Sequence, residues 1–111
     1  MYKSLFFLTD IGDAIVELLI QGELKKEYRM HDLYDLIRVT ARRPSMTPQM
    51  ISRCLKVILP PPYPRKYQYG KDRAYYVQLP SEEDMVNHLK NIGPARVKDR
   101  LKDFTPRKGW D

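Results

Sequence analysis

A chain of 111 residues, 42% of them hydrophobic, is expected to form one domain that buries about two thirds of its unfolded surface and holds a core without covalent staples. A single cysteine, Cys54, excludes an intramolecular disulfide, and the only histidines, His31 and His88, lie too far apart in sequence to seed a metal cluster, so a reducing, cytoplasmic setting with no cofactor is expected. The net charge of +6 is gathered in one place: Met1 to Ile37 carries −3, Arg38 to Tyr75 carries +8 and the remainder +1, the distribution expected of a face that meets a polyanion.

The opening "MYKSLFFLTD" has an apolar run of four residues, Leu5 to Leu8, too short for a signal h-region or a membrane span, so no membrane partner is expected. The spacing then predicts a first helix from Asp10, its N-cap, to about Gln21, with Ile11, Ile15, Leu18 and Leu19 inward and Gly22 closing it. "LKKEYRM" is a weak strand candidate. A second helix is predicted from about His31 to Val39, with Leu33, Leu36 and Ile37 inward.

The third helix, about residues 47–59, is the best marked. Thr47 can cap it and Pro48 fits its first turn, where a missing N–H costs nothing. Ile51, Cys54, Leu55 and Ile58 form its buried stripe, leaving Gln49, Ser52, Arg53 and Lys56 on the polar side. Pro60, Pro61 and Pro62 end it.

Two alternating runs, within residues 63–79, flank Gly70-Lys71-Asp72 and predict a basic, tyrosine-rich β-hairpin. Ser81 with Asp84 marks the start of a further helix carrying Met85, Leu89 and Ile92. Beyond Gly93-Pro94, Val97, Leu101 and Phe104 recur at helical spacing. Residues 1–93 are thus expected to form the domain and 94–111 a basic tail or short helix.

The order helix, helix, capped helix, basic hairpin, helix resembles the winged helix-turn-helix superfamily of DNA-binding proteins, and "TPQMISRCLKVI" is similar to the recognition helix of such regulators. The connection "TARRPSM" departs from the tight turn of the parent motif. The resemblance implies an α+β fold, a winged helix with a three-helix core and a β-hairpin wing, plus a C-terminal helix. It also implies sequence-specific binding of double-stranded DNA by a transcriptional regulator or a replication or partition factor.

The residues fit that chemistry. Arg53 suits guanine O6 and N7 and Gln49 adenine N6 and N7, with Ser52 and Lys56 beside them as further base-reading candidates. Arg65, Lys66, Lys71 and Arg73 on the hairpin, with Arg42, Arg43 and Thr47 near the third helix, are candidates for phosphate contacts. So small a reader gains affinity by pairing, and a homodimer through "LFFL" or the helix after Ser81 is compatible with it.

Two other readings stand beside this one. The scaffold could serve as a protein-interaction module. Tyr67, Tyr69 and Tyr75 could instead stack on bases of single-stranded DNA or RNA, although tyrosines alternating in a hairpin are expected to pack their rings on the domain. No enzyme is expected: His31 with Asp32 and Asp35 lacks a third converging group and suits a helix cap better, and Cys54 lies on an apolar stripe.

Overall fold

The computed structural model describes residues 10–71 and 73–107, apart from the side chain of Tyr69. They form an α+β fold of five helices and a small antiparallel sheet. In chain order these are α1 (Asp10–Gln21), β1 (Glu27–Arg29), α2 (Met30–Ala41), α3 (Pro48–Ile58), β2 (Arg65–Tyr69), β3 (Ala74–Gln78), α4 (Glu82–Ile92) and α5 (Ala95–Leu101). None of these helices is long and apolar enough to cross a membrane. The "LFFL" segment lies outside the described residues, as do Asp72 of the hairpin turn and the last four residues.

Local chemistry accounts for most of the boundaries. Thr47 caps α3 by accepting a hydrogen bond from the Met50 N–H at 3.2 Å, with Pro48 in the first turn. Ser81 caps α4 in the same way through the Asp84 N–H at 3.1 Å. α1 closes through Gly22 at φ +70°, and α2 closes with the same left-handed geometry at Arg42, φ +57°.

Two expected starts shift. Asp10 is the first helical residue of α1 rather than its cap. α2 begins at Met30, and its cap position is Arg29, which makes no side-chain cap bond; His31 and Asp32 fall inside the first turn and pair with each other at 3.1 Å, both largely exposed.

The "LKKEYRM" candidate contributes a real strand, Glu27–Arg29, and the strand order is β1-β3-β2. Register places Tyr28 and Lys66 opposite Val77, and Arg29 and Tyr67 opposite Tyr76. Because partners across a ladder share a face, buried Val77 identifies the inner face, and the Arg29, Tyr76 and Tyr67 row lies on the outer one.

One core gathers every helix. Ile11, Ile15, Leu18 and Leu19 of α1 meet Leu33 and Ile37 of α2, and all four predicted residues of the α3 stripe are buried with them. Met85 and Leu89 of α4 and Val97 and Leu101 of α5 join the same cluster. Gly93 has no room for a side chain, since a Cβ there would sit 2.5 Å from the Leu89 carbonyl oxygen.

Two sets of ion pairs hold the C-terminal residues down. Arg96 pairs with Asp13 at 3.0 Å and Arg100 with Glu17, fastening α5 along α1. Further on, Arg107 donates from its backbone N–H (2.7 Å) and Nε (2.8 Å) to the carboxylate of Glu82, which is 1% exposed, and from Nη2 to the Leu24 carbonyl at 3.0 Å. The side-chain hydrogen bond to Glu82 raises the Arg107 pKa above its ordinary value.

Candidate functional site

The apolar stripe of α3 fixes which side of the helix is left outside. With Ile51, Cys54, Leu55 and Ile58 inward, Gln49, Arg53 and Lys56 are exposed and Ser52 is half-buried. These four side chains line a groove of about 340 Å³ together with Met30 and Tyr34 of α2, Pro48, and Lys66 of β2. The groove is therefore walled by the start of α2, floored by α3 and closed by the hairpin.

Lys66 joins hairpin to helix: its ammonium donates to the Ser52 hydroxyl oxygen at 2.9 Å. Strand alternation puts Lys66 on the inner sheet face opposite Val77, but beyond the core, so its ammonium reaches the polar side of α3. Sequence reasoning placed both residues at the site without connecting them. Register supplies the connection, and register depends on the hairpin turn.

The other wing residues are separated by the pleat. Arg65 lies on the outer face with its guanidinium 5.3 Å from the Tyr63 ring centroid. Lys71 and Arg73 are exposed in the turn, where Arg73 has φ +52° and its carbonyl accepts from the Gln68 amide. Among the described residues no carboxylate pairs with Arg53, Lys56, Arg65 or Lys66.

The remaining candidates divide. Thr47 precedes Pro48 of the groove lining but is not itself part of it, and its hydroxyl oxygen is engaged in the cap. Arg42 and Arg43 are not brought to α3: Arg42 lines a separate groove with Asp10, Asp13 and Glu17 of α1, and Arg43 pairs with Asp10 at 2.7 Å. Arg38, basic in the same segment, is held by Asp35 at 2.6 Å and by the Met46 carbonyl at 2.8 Å.

Tyr67 and Tyr75 do not follow the packing expectation, while the side chain of Tyr69 lies outside those described. Tyr75 is 57% exposed, because the hairpin carries it past the end of the core that its face-mate Val77 enters. Tyr67 and Tyr76 are half-buried and stack on each other, with centroids 5.9 Å apart and planes 21° from parallel, on the side of the sheet away from the core. Arg29 adds its guanidinium 5.9 Å from the Tyr76 ring centroid. This row was hidden in the sequence because two tyrosine runs of uniform alternation do not specify which residues pair.

Among the described residues no three His, Cys, Asp or Glu side chains gather as metal ligands, and Cys54 is a buried thiol. The exposed side of α4 carries Glu83, Asp84, Asn87, Lys90 and Asn91, its apolar stripe being spent on the core. Comparison with protein-family models, with curated proteins and with solved structures finds no match.

Proposed function

We propose that this chain is a winged-helix module that binds double-stranded DNA in a sequence-specific manner. It acts by occupying a site rather than by chemistry, as a transcriptional regulator or a replication or partition factor does. α3 enters the major groove, Gln49, Ser52, Arg53 and Lys56 face base edges, and the β2–β3 hairpin is a wing whose Arg65, Lys66, Lys71 and Arg73 meet phosphates. The element order and the β1-β3-β2 sheet support the winged-helix reading.

The observation that carries the proposal is the Lys66 to Ser52 hydrogen bond, which joins the wing to the exposed side of α3 in one basic surface. Arg43, Arg96, Arg100 and Arg107 are engaged with carboxylates elsewhere, whereas among the described residues no carboxylate pairs with Arg53, Lys56, Arg65 or Lys66, so the charge of this surface is available to a polyanion. Pairing of two modules on one duplex, through "LFFL" or through α4, belongs to the same reading.

Titration of variants against preferred and scrambled duplex at several salt concentrations tests this. Arg53→Ala is expected to cost about 1–3 kcal/mol on the preferred site and less on scrambled duplex. Arg65→Ala or Lys71→Ala weakens both alike and lowers the salt slope by about one unit. Folded Arg53→Ala and Lys71→Ala variants with unchanged duplex affinity would replace this reading with a protein-interaction module.

A further inference from the structure

The outer face of the sheet carries chemistry that duplex reading by α3 does not use. Two adjacent cross-sheet rows are built there: Arg29, Tyr76 and Tyr67 in one, Glu27, Gln78 and Arg65 in the next. β2 ends the sheet order, and at its side of the sheet a groove of about 560 Å³ is lined by Pro62, Pro64, Arg65, Lys66, Tyr67 and Gln78.

We propose that this groove at the β2 side of the outer sheet face binds an unpaired nucleotide of single-stranded nucleic acid. The lining supplies what such a ligand needs. Tyr67 offers an aromatic ring already braced by Tyr76, and Tyr76 is itself flanked by the Arg29 guanidinium, so a base stacking there meets a pre-ordered surface. Pro62 and Pro64 add rigid apolar rings to the same lining. Gln78 presents an amide with both donor and acceptor for a base edge. Arg65 supplies positive charge for a flanking phosphate, while the one acid of these rows, Glu27, lies two strands away on β1.

The proposal does not depend on base reading by α3, since among the described residues Lys66 alone lines both this groove and the one on α3. Because Lys66 lies between them, duplex on α3 and a separated strand over β2 could leave the same junction on opposite sides of one strand of the sheet.

The test uses the full chain and a single-stranded DNA of about 12 nucleotides carrying one 2-aminopurine, a length within the usual span of such sites. Wild-type protein at low salt is expected to bind it and quench its fluorescence by stacking. Tyr67→Ala is expected to lose about tenfold or more in affinity along with the quenching, while Tyr67→Phe, which keeps the ring, retains both. Duplex affinity of Tyr67→Ala stays at the wild-type value, and Arg53→Ala leaves single-strand binding intact, so failure of one site is distinguishable from failure of the other. No single-strand binding by wild type, or unchanged affinity in a folded Tyr67→Ala protein, overturns the proposal. Should Tyr67→Ala not fold, Gln78→Ala decides: a fall in single-strand affinity with duplex affinity unchanged supports the site, and unchanged single-strand affinity overturns it.

Discussion

Arg42→Gly is expected to stabilise the protein. α1 and α2 end in the same closure: the Gly22 N–H reaches the Leu19 carbonyl at 3.1 Å and the Glu23 N–H reaches Leu18 at 3.0 Å, as the Arg42 N–H reaches Val39 at 3.2 Å and the Arg43 N–H reaches Arg38 at 3.0 Å. Both pivots are left-handed, at φ +70° and φ +57°, but only one is glycine. A Cβ in that region costs about 1 kcal/mol, so its removal at Arg42 should raise stability by about that amount, about 4 °C in a domain of this size. Arg42→Ala keeps the Cβ and should gain nothing, which separates backbone strain from loss of charge. The reciprocal change, Gly22→Ala, should lose about 1 kcal/mol from strain alone, since the new methyl meets only the Arg107 guanidinium at an ordinary 3.8 Å. Thermal and urea melts of the three variants decide. Equal gains from glycine and alanine at position 42, or a neutral Gly22→Ala, would refute the strain explanation. Duplex affinity of Arg42→Gly should be unchanged, because Arg42 lines the acidic groove of α1 and not the α3 groove.

Leu55→Ala removes a side chain with no exposed surface from the centre of the α3 stripe and should cost about 2–5 kcal/mol, read as a lower midpoint in urea with the slope retained. Tyr28 supplies a pH test: burial raises its pKa above the ordinary 10.0, so the folded state holds its proton longer than the unfolded chain does. Its contribution is fully present below pH 10 and is lost as pH rises through the higher folded value. Tyr28→Phe should therefore lose less stability between neutral and strongly alkaline pH than wild type in parallel melts, and identical alkaline slopes would contradict this.

The parts of the fold that could be read from sequence were those written in local chemistry. Thr47-Pro48 at one end of α3, three prolines after the other and apolar residues at three and four residue intervals leave little choice of structure. β1 was harder, because three residues carry no usable periodicity and its pairing with β3 crosses about fifty positions of chain. The partners of α5 had a signal that could have been used: Asp13 and Glu17 are four apart on α1, and Arg96 and Arg100 are four apart on α5, matching stripes of opposite sign. Glu82 had none, because an acid in the first turn of a helix already has a reason to be there in the helix dipole, and nothing local indicates that the chain returns to bury it under Arg107. At the candidate site, the helical half was legible from one stripe of apolar residues. The hairpin half was not, since a one-residue change of register would exchange Lys66 for Arg65 on the face toward α3.

The carboxylates of α1 and the arginines clipped to them also bear on how the molecule moves toward a partner. By quieting one side electrically they leave the positive charge unevenly placed, so under the proposed function a polyanion would exert a torque as well as an attraction and turn the α3 side forward before contact. Screening confines that torque to roughly the last 8–10 Å of approach at physiological salt. Within that distance fewer encounters are lost to wrong orientations, and replacing Arg96 and Arg100 by neutral residues would leave Asp13 and Glu17 uncompensated and sharpen the alignment without touching the α3 surface.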